Sequence, residues 1–158
     1  MSYWLMKSEP GTFSVDDLAR SPGKRTHWDG VRNFQARNFM RDRMRRGDRA
    51  FFYHSSCPEP GIYGIVEIVR EAYPDPTQFD PRDDHYDPAS SPDAPRWYMV
   101  DVKLVRKVDP PILLADLRRH EKGALADMLL LKRGNRLSIT PVTEDEWNFI
   151  LGLERDRE

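Results

Sequence analysis

Hydrophobic spacing along the chain switches several times between strand-like and helix-like periods, and the switch points divide it into elements. YWLMKS (3–8) reads as a short strand, ended by Glu9-Pro10-Gly11. SVDDLARS (14–21) opens on Ser14 with Asp17 three residues on, the layout of a capping box at the start of a short helix. Pro22 to Arg32 reads as loop. In NFQARNFMRDRMRRGD, Ala36, Phe39, Met40 and Met44 recur at spacings of three and four, which predicts a helix with an apolar stripe. Asn33 fits its N-cap and Gly47 its stop. Arg37, Arg41 and Arg45 fall at i, i+4 and i+8 on another face.

RAFFYHS (49–55) predicts a strand dense in aromatics, CPEPG a turn, and IYGIVEIVRE (62–71) the returning strand. RWYMVDVKLVRKV (96–108) predicts a third long strand with Tyr98, Val100, Val102 and Leu104 facing inward. Between the last two, Tyr73 to Pro95 holds six prolines and many aspartates and reads as a long irregular loop, a length that belongs to functional lids in compact domains. ILLADLRRH and ALADMLLLK predict short helices, and RLSITPV (136–142) a strand. Thr143 with Glu146 caps a last helix, TEDEWNFILGL. Few helices around several antiparallel-looking strands give an α+β class with a small curled sheet or barrel.

Composition narrows this picture. The 158 residues fit one domain, 1–158, able to bury about two-thirds of its unfolded surface. No apolar run approaches the roughly 18 residues a membrane span needs, so no membrane partner is expected. MSYWLMKSEP lacks the layout of a signal peptide. The single cysteine, Cys57, excludes an internal disulfide and any multi-cysteine metal site. A cytoplasmic location is the resulting expectation. Net charge is only −1, but Arg20 to Arg49 carries ten Lys/Arg against three Asp, and Glu71 to Asp101 carries eight Asp/Glu against two Arg. Such polarity steers an anion to one face; a solvated helix balanced by a solvated loop accounts for the same counts.

WLMKSEP (4–10), WDGVRNFQARN (28–38), GDRAFFYHS (47–55), GIVEI (64–68) and RLSITPV (136–142), in this order from residue 3 to about 151, resemble the EVE domain family of the PUA-like superfamily, alongside the ASCH and YTH groups. The resemblance implies a PUA-like pseudo-barrel of mixed or antiparallel strands with flanking short helices and a pocket on one side. It implies a nucleic-acid partner, DNA or RNA, with recognition of a modified base, and no cofactor. Carried over residue by residue, it implies ligand contacts from Lys7, Ser8, Trp28, Val31, Asn33, Tyr53, His54, Ser55, Arg136, Leu137 and Ser138. The 73–97 loop, including Trp97, matches the family poorly.

The residues themselves supply chemistry for such a pocket. An extruded base presents two π faces and a polar edge, so its reader needs an aromatic clamp with a few donors and acceptors. Trp28, in a loop before a helix, reads as a clamp more readily than as a plug, whereas Trp4 and Trp147 read as core. Asn33 offers a donor and an acceptor to a base edge, although a helix cap explains it equally well. Ser8, Ser55 and Ser138 stand at strand ends. His54 with Cys57 suggests a Cys–His pair, but Pro58 follows and no Asn or Asp is placed to orient the imidazole, so no catalytic residue is assigned. His27, His54, His85 and His120 lack metal-ligand spacing, and no metal is expected. Arg37, Arg41 and Arg45 are the candidate phosphate contacts, with Arg43 and Arg46 beside them. Two readings stay open: a non-catalytic reader of a modified or flipped base, and an enzyme or binder acting on a nucleotide or small anionic metabolite. A protein-interaction scaffold is a third, and it would require an exposed apolar patch.

Overall fold

The computed structural model describes residues 1–156. Its strands are β1 (Tyr3–Ser8), β2 (Arg25–Trp28), β3 (Arg49–His54), β4 (Gly61–Pro74), β5 (Tyr98–Leu113) and β6 (Ile139–Val142). They form one mixed sheet in the order β2-β5-β4-β3-β1-β6, in which only the β1–β3 pair is parallel. Four helices flank it: α1 (Val15–Arg20), α2 (Phe34–Asn38), α3 (Leu114–Arg118) and α4 (Glu144–Asp156). The sheet is not closed, since β2 and β6 are free edges. It is strongly curled all the same. β5, β4 and β3 intervene between β2 and β1, yet Trp28 of β2 shares one core cluster with Trp4 and Met6 of β1.

Both faces of the sheet are buried, which is why β3 reads as a near-continuous apolar run. Ala50 and Phe52 point into a first cluster, with Val66, Ile68, Val100 and Val102 under Leu18, Ala36, Met40 and Met44. Phe51 and Tyr53 point into a second, with Leu5, Ile62 and Ile112 under Leu117, Met128, Trp147 and Ile150. Tyr53 therefore lies on the face away from Trp28, and burial pushes its hydroxyl up to about 12. Among the described residues, no helix is long and apolar enough to cross a membrane.

The expected caps form. Ser14 Oγ accepts the Asp17 amide at 3.1 Å while Asp17 Oδ2 accepts the Ser14 amide at 2.9 Å. Asn33 Oδ1 accepts the Ala36 amide at 3.0 Å, and Thr143 and Glu146 repeat the capping box on α4. Elsewhere the fold departs from the sequence pattern. Residues 22–32 are not all loop, because RTHW pairs with β5 as β2, Trp28 opposite Val100. The helix after Asn33 is regular for five residues, then widens into a π-helical turn over Phe39–Arg43 and ends at Met44. That turn keeps Phe39, Met40 and Met44 in the core but breaks the 3.6-residue row on which Arg37, Arg41 and Arg45 would align. ALADMLLLK holds only a short 3-10 turn, Leu129–Leu131, and the last strand is Ile139–Val142 rather than 136–142.

Asp48 ties the start of β1 to the turn before β3. Its carboxylate is buried and accepts the Ser2 amide at 3.0 Å, the Trp4 indole N–H at 3.1 Å and the Arg45 amide at 2.9 Å. Asp48→Ala leaves these donors without their acceptor, and a loss of about 3 kcal/mol is expected, read as a lower denaturant midpoint at unchanged slope.

Candidate functional site

A cavity of about 580 Å³ opens where the ends of β1 and β2 converge. One wall is the end of β1 and its following turn, with Lys7, Ser8, Glu9, Thr12 and Phe13; the other is Thr26, His27, Trp28, Asp29 and Gly30, with His85 across the rim. Trp28 is 8% exposed. Its ring meets Phe52 edge-on at 5.4 Å, so it is at once core and cavity wall. The Ser8 hydroxyl donates to the Phe13 carbonyl at 2.6 Å, which folds the turn back beside β1. Lys7 is half-buried, and that burial lowers its amine below the usual value. Asp29 is exposed, with a carboxylate oxygen 4.0 Å from His27 Nε2. Aromatic surface thus stands beside a cation, an acceptor and an imidazole, a combination suited to a planar polar molecule.

The cavity's second wall is fixed by Asp75, whose side chain is fully buried. Its carboxylate accepts the Gly30 amide at 2.8 Å, the Arg32 guanidinium at 3.2 Å, the Thr77 amide at 2.8 Å and the Thr77 hydroxyl at 2.6 Å. Burial alone would push this carboxyl up; hydrogen bonds from Thr77, Gly30 and Arg32 outweigh it and hold the group below the usual carboxylate range. Arg32 also donates to the His85 carbonyl at 2.8 Å and to Thr77 Oγ1 at 2.9 Å. Gly30 has φ +76°, which favours glycine, and a Cβ there would stand 2.8 Å from the His85 ring and push it aside. Further on, the Gln78 side chain donates to the Asp75 and Trp97 carbonyls and accepts the Arg96 and Trp97 amides. The 73–97 segment is therefore a braced wall.

Of the residues expected at the pocket, Lys7, Ser8 and Trp28 line this cavity. Ser55 and Ser138 frame it through the backbone: the Ser55 amide donates to the Ser8 carbonyl at 3.0 Å and the Lys7 amide to the Ser138 carbonyl at 2.8 Å. Val31 and Leu137 pack in and against the first core cluster. Asn33 spends its carbonyl oxygen on the α2 cap, and Arg136 is exposed. His54 is buried, stacks on Tyr63 at 4.0 Å and accepts the Val15 amide on Nε2 at 3.1 Å. A ring nitrogen committed to α1 in this way is not free to take a substrate proton.

The arginines have protein partners too. Arg37 donates to the Arg96 carbonyl at 2.7 Å, Arg41 pairs with Asp42 at 2.8 Å, and Arg45 donates to the Met44 and Asp42 carbonyls. Sequence reasoning did not single out Phe13, His27, Asp29 or His85 as lining residues, nor Arg32 and Asp75 as their support. Asp29-Gly30 beside Trp28 was the available signal for the wall; nothing local announces that His85 closes on Gly30.

A model of the EVE domain family matches residues 2–153. Human thymocyte nuclear protein 1 is 50% identical over 168 residues, covering 97% of this chain and 74% of the relative. The crystal structure of human THYN1 protein in complex with 5-methylcytosine-containing DNA superposes with a TM-score of 0.92 at 50% identity, covering 98% of each chain. A crystal structure from Pseudomonas putida gives 0.91 at 46% identity, over 97% of this chain and 99% of that one.

Removing the clasp is expected to loosen the wall. Asp75→Ala leaves the Gly30 and Thr77 amides and the partly buried Arg32 guanidinium without their common acceptor and should cost about 3 kcal/mol, with protease cleavage appearing first within residues 80–95; cleavage no faster than in wild type would show that the loop is held by other contacts. His54 gives a pH dependence. Burial lowers its folded pKa from 6.5, and the weaker attraction of Asp16 does not reverse this. The unfolded chain then binds a proton that the folded chain refuses, so stability falls as pH drops below about 6.5. In His54→Gln, whose amide oxygen can still accept from Val15, that part of the slope should vanish when denaturation is followed between pH 5 and 8.

Proposed function

The chain belongs to the EVE domain family, and on that premise we propose that it is a non-catalytic nucleic-acid-binding module whose cavity takes a modified base extruded from its strand. The observation that carries this reading is the lining: Trp28 and Phe13 as apolar surface, with Lys7 on one wall and His27 and Asp29 on the other as polar groups. A base that leaves its stack loses two π contacts and its pairing hydrogen bonds, and this lining offers replacements for both. Asp29 is an acceptor suited to an exocyclic amine such as cytosine N4, and an added methyl fits the apolar side formed by Trp28 and Phe13. The human relative crystallised with 5-methylcytosine-containing DNA supports DNA of this kind as the first ligand to try.

In this reading Val31, Asn33, Ser55, Leu137 and Ser138 shape the pocket from behind. Arg136 and the arginines at 37, 41 and 45 supply sequence-independent attraction to the backbone. Tyr53 and His54 act through the fold, from the second core and the α1 junction respectively.

The test is titration of wild type and Asp29→Ala with matched oligonucleotides carrying 5-methylcytosine or cytosine. Wild type should prefer the methylated strand. The exposed Asp29→Ala substitution, which removes the acceptor, should leave the melting temperature nearly unchanged and weaken binding about fivefold to hundredfold, the range for one lost base-edge contact. Equal affinity for both oligonucleotides, or an Asp29→Ala protein that binds like wild type, would defeat the proposal.

A further inference from the structure

Phe34, the first residue of α2, is 46% exposed. It is nevertheless firmly held. Its ring stacks on Trp97 with centroids 4.7 Å apart and planes 22° from parallel. The guanidinium carbons of Arg37 and Arg96 stand 4.8 and 5.1 Å from its centroid. Trp97 is itself anchored, its indole N–H on Asp87 at 2.7 Å and its backbone on Gln78. Tyr86, 41% exposed on the neighbouring loop, makes a useful contrast, because among the described residues its ring has no stacking partner. An apolar ring that is left in water yet fixed in one orientation has forgone burial without gaining freedom, which is the arrangement of a pre-positioned contact.

Its place along the chain specifies the contact. Phe34 lies four residues beyond Gly30 of the cavity wall, a chain reach of at most about 14 Å. That is about four base-pair steps at roughly 3.4 Å each along a strand. The Arg37 and Arg96 guanidinium groups beside the ring supply the positive charge that a nucleic-acid contact needs. We propose that Phe34 is a wedge that enters the base stack of duplex DNA beside the extruded base and fills the gap that extrusion leaves. This rests on the base-reading function proposed above and adds to it a substrate form: a duplex that the protein opens, rather than a strand already single. Apolar side chains inserted between base steps offset lost stacking in this way, and a single strand has no such gap to fill.

The experiment measures affinity for a duplex with one central 5-methylcytosine, for the methylated strand alone, and for unmethylated versions of both. A 2-aminopurine next to the target reports unstacking by its fluorescence. Phe34→Ala should weaken duplex binding by about tenfold or more, the scale of the unstacking cost, and abolish the fluorescence rise, while single-strand affinity stays close to wild type. Phe34→Gln, also compatible with the helix start, should behave the same, and Phe34→Leu should retain most of the duplex affinity; thermal melts establish that each variant is folded. Equal losses on duplex and single strand, or no loss on either, would overturn the wedge. A wild type that prefers methylated DNA while Phe34→Ala binds the duplex normally defeats the wedge alone. A wild type indifferent to methylation in both forms defeats the base-reading function, and the wedge with it.

Discussion

Asp75 joins two segments that share no secondary structure, and the geometry of the site follows from that join. A fully buried carboxylate is costly unless its lone pairs are filled. Here the Gly30 amide, the Arg32 guanidinium and both Thr77 donors fill them. Because each donor must point at one point in space, Gly30 is held at the cavity edge and residues 75–77 are held against it. The same loop then delivers His85 to the rim and, through Gln78, Trp97 to the underside of Phe34. Buried ion pairs give little net stability but strongly penalise the wrong arrangement, which suits a group whose task is to fix a wall.

The curl of the sheet supplies the other half of the site. In a flat sheet β1 and β2 would lie three strands apart. Register shifts along the β4–β5 pair bend and twist the long strands, and the two strand ends meet at the cavity from opposite directions. The mouth therefore owes its place to the curl and not to strand pairing, since β1 is already flanked by β3 and β6.

Much of this is legible in the sequence. The caps at Ser14, Asn33 and Thr143 follow from side chains that satisfy amides three residues away, an interaction wholly local in sequence. The strands around Leu5, Phe52, Val66 and Val102 show as apolar runs because both sheet faces are buried. β2 did not show, since RTHW carries one apolar residue and is a strand only because β5 pairs with it. The arginine row failed because a π-helical turn changes the residue count per turn. Within the site, Lys7, Ser8 and Trp28 came from motifs flanking the cavity, and Asp29-Gly30 lay inside the WDGVRNFQARN motif. Asp75 and His85 were hidden for a different reason: they sit in a loop whose prolines and aspartates look merely solvated, and their partners on the wall, Gly30 and Arg32, lie 43 or more residues away.

The position of β1 has a consequence for how the chain acquires this shape. β1 is flanked by β3 on one side and β6 on the other, so the earliest strand cannot complete its hydrogen bonding until Ile139–Val142 has arrived. Pairings that span most of the sequence raise contact order and slow folding toward the millisecond-to-second range. On the ribosome, β3, β4 and β5 can zip as successive hairpins while the N-terminal segment waits with one edge open. The second edge of β1 is thus closed by a strand made long after it.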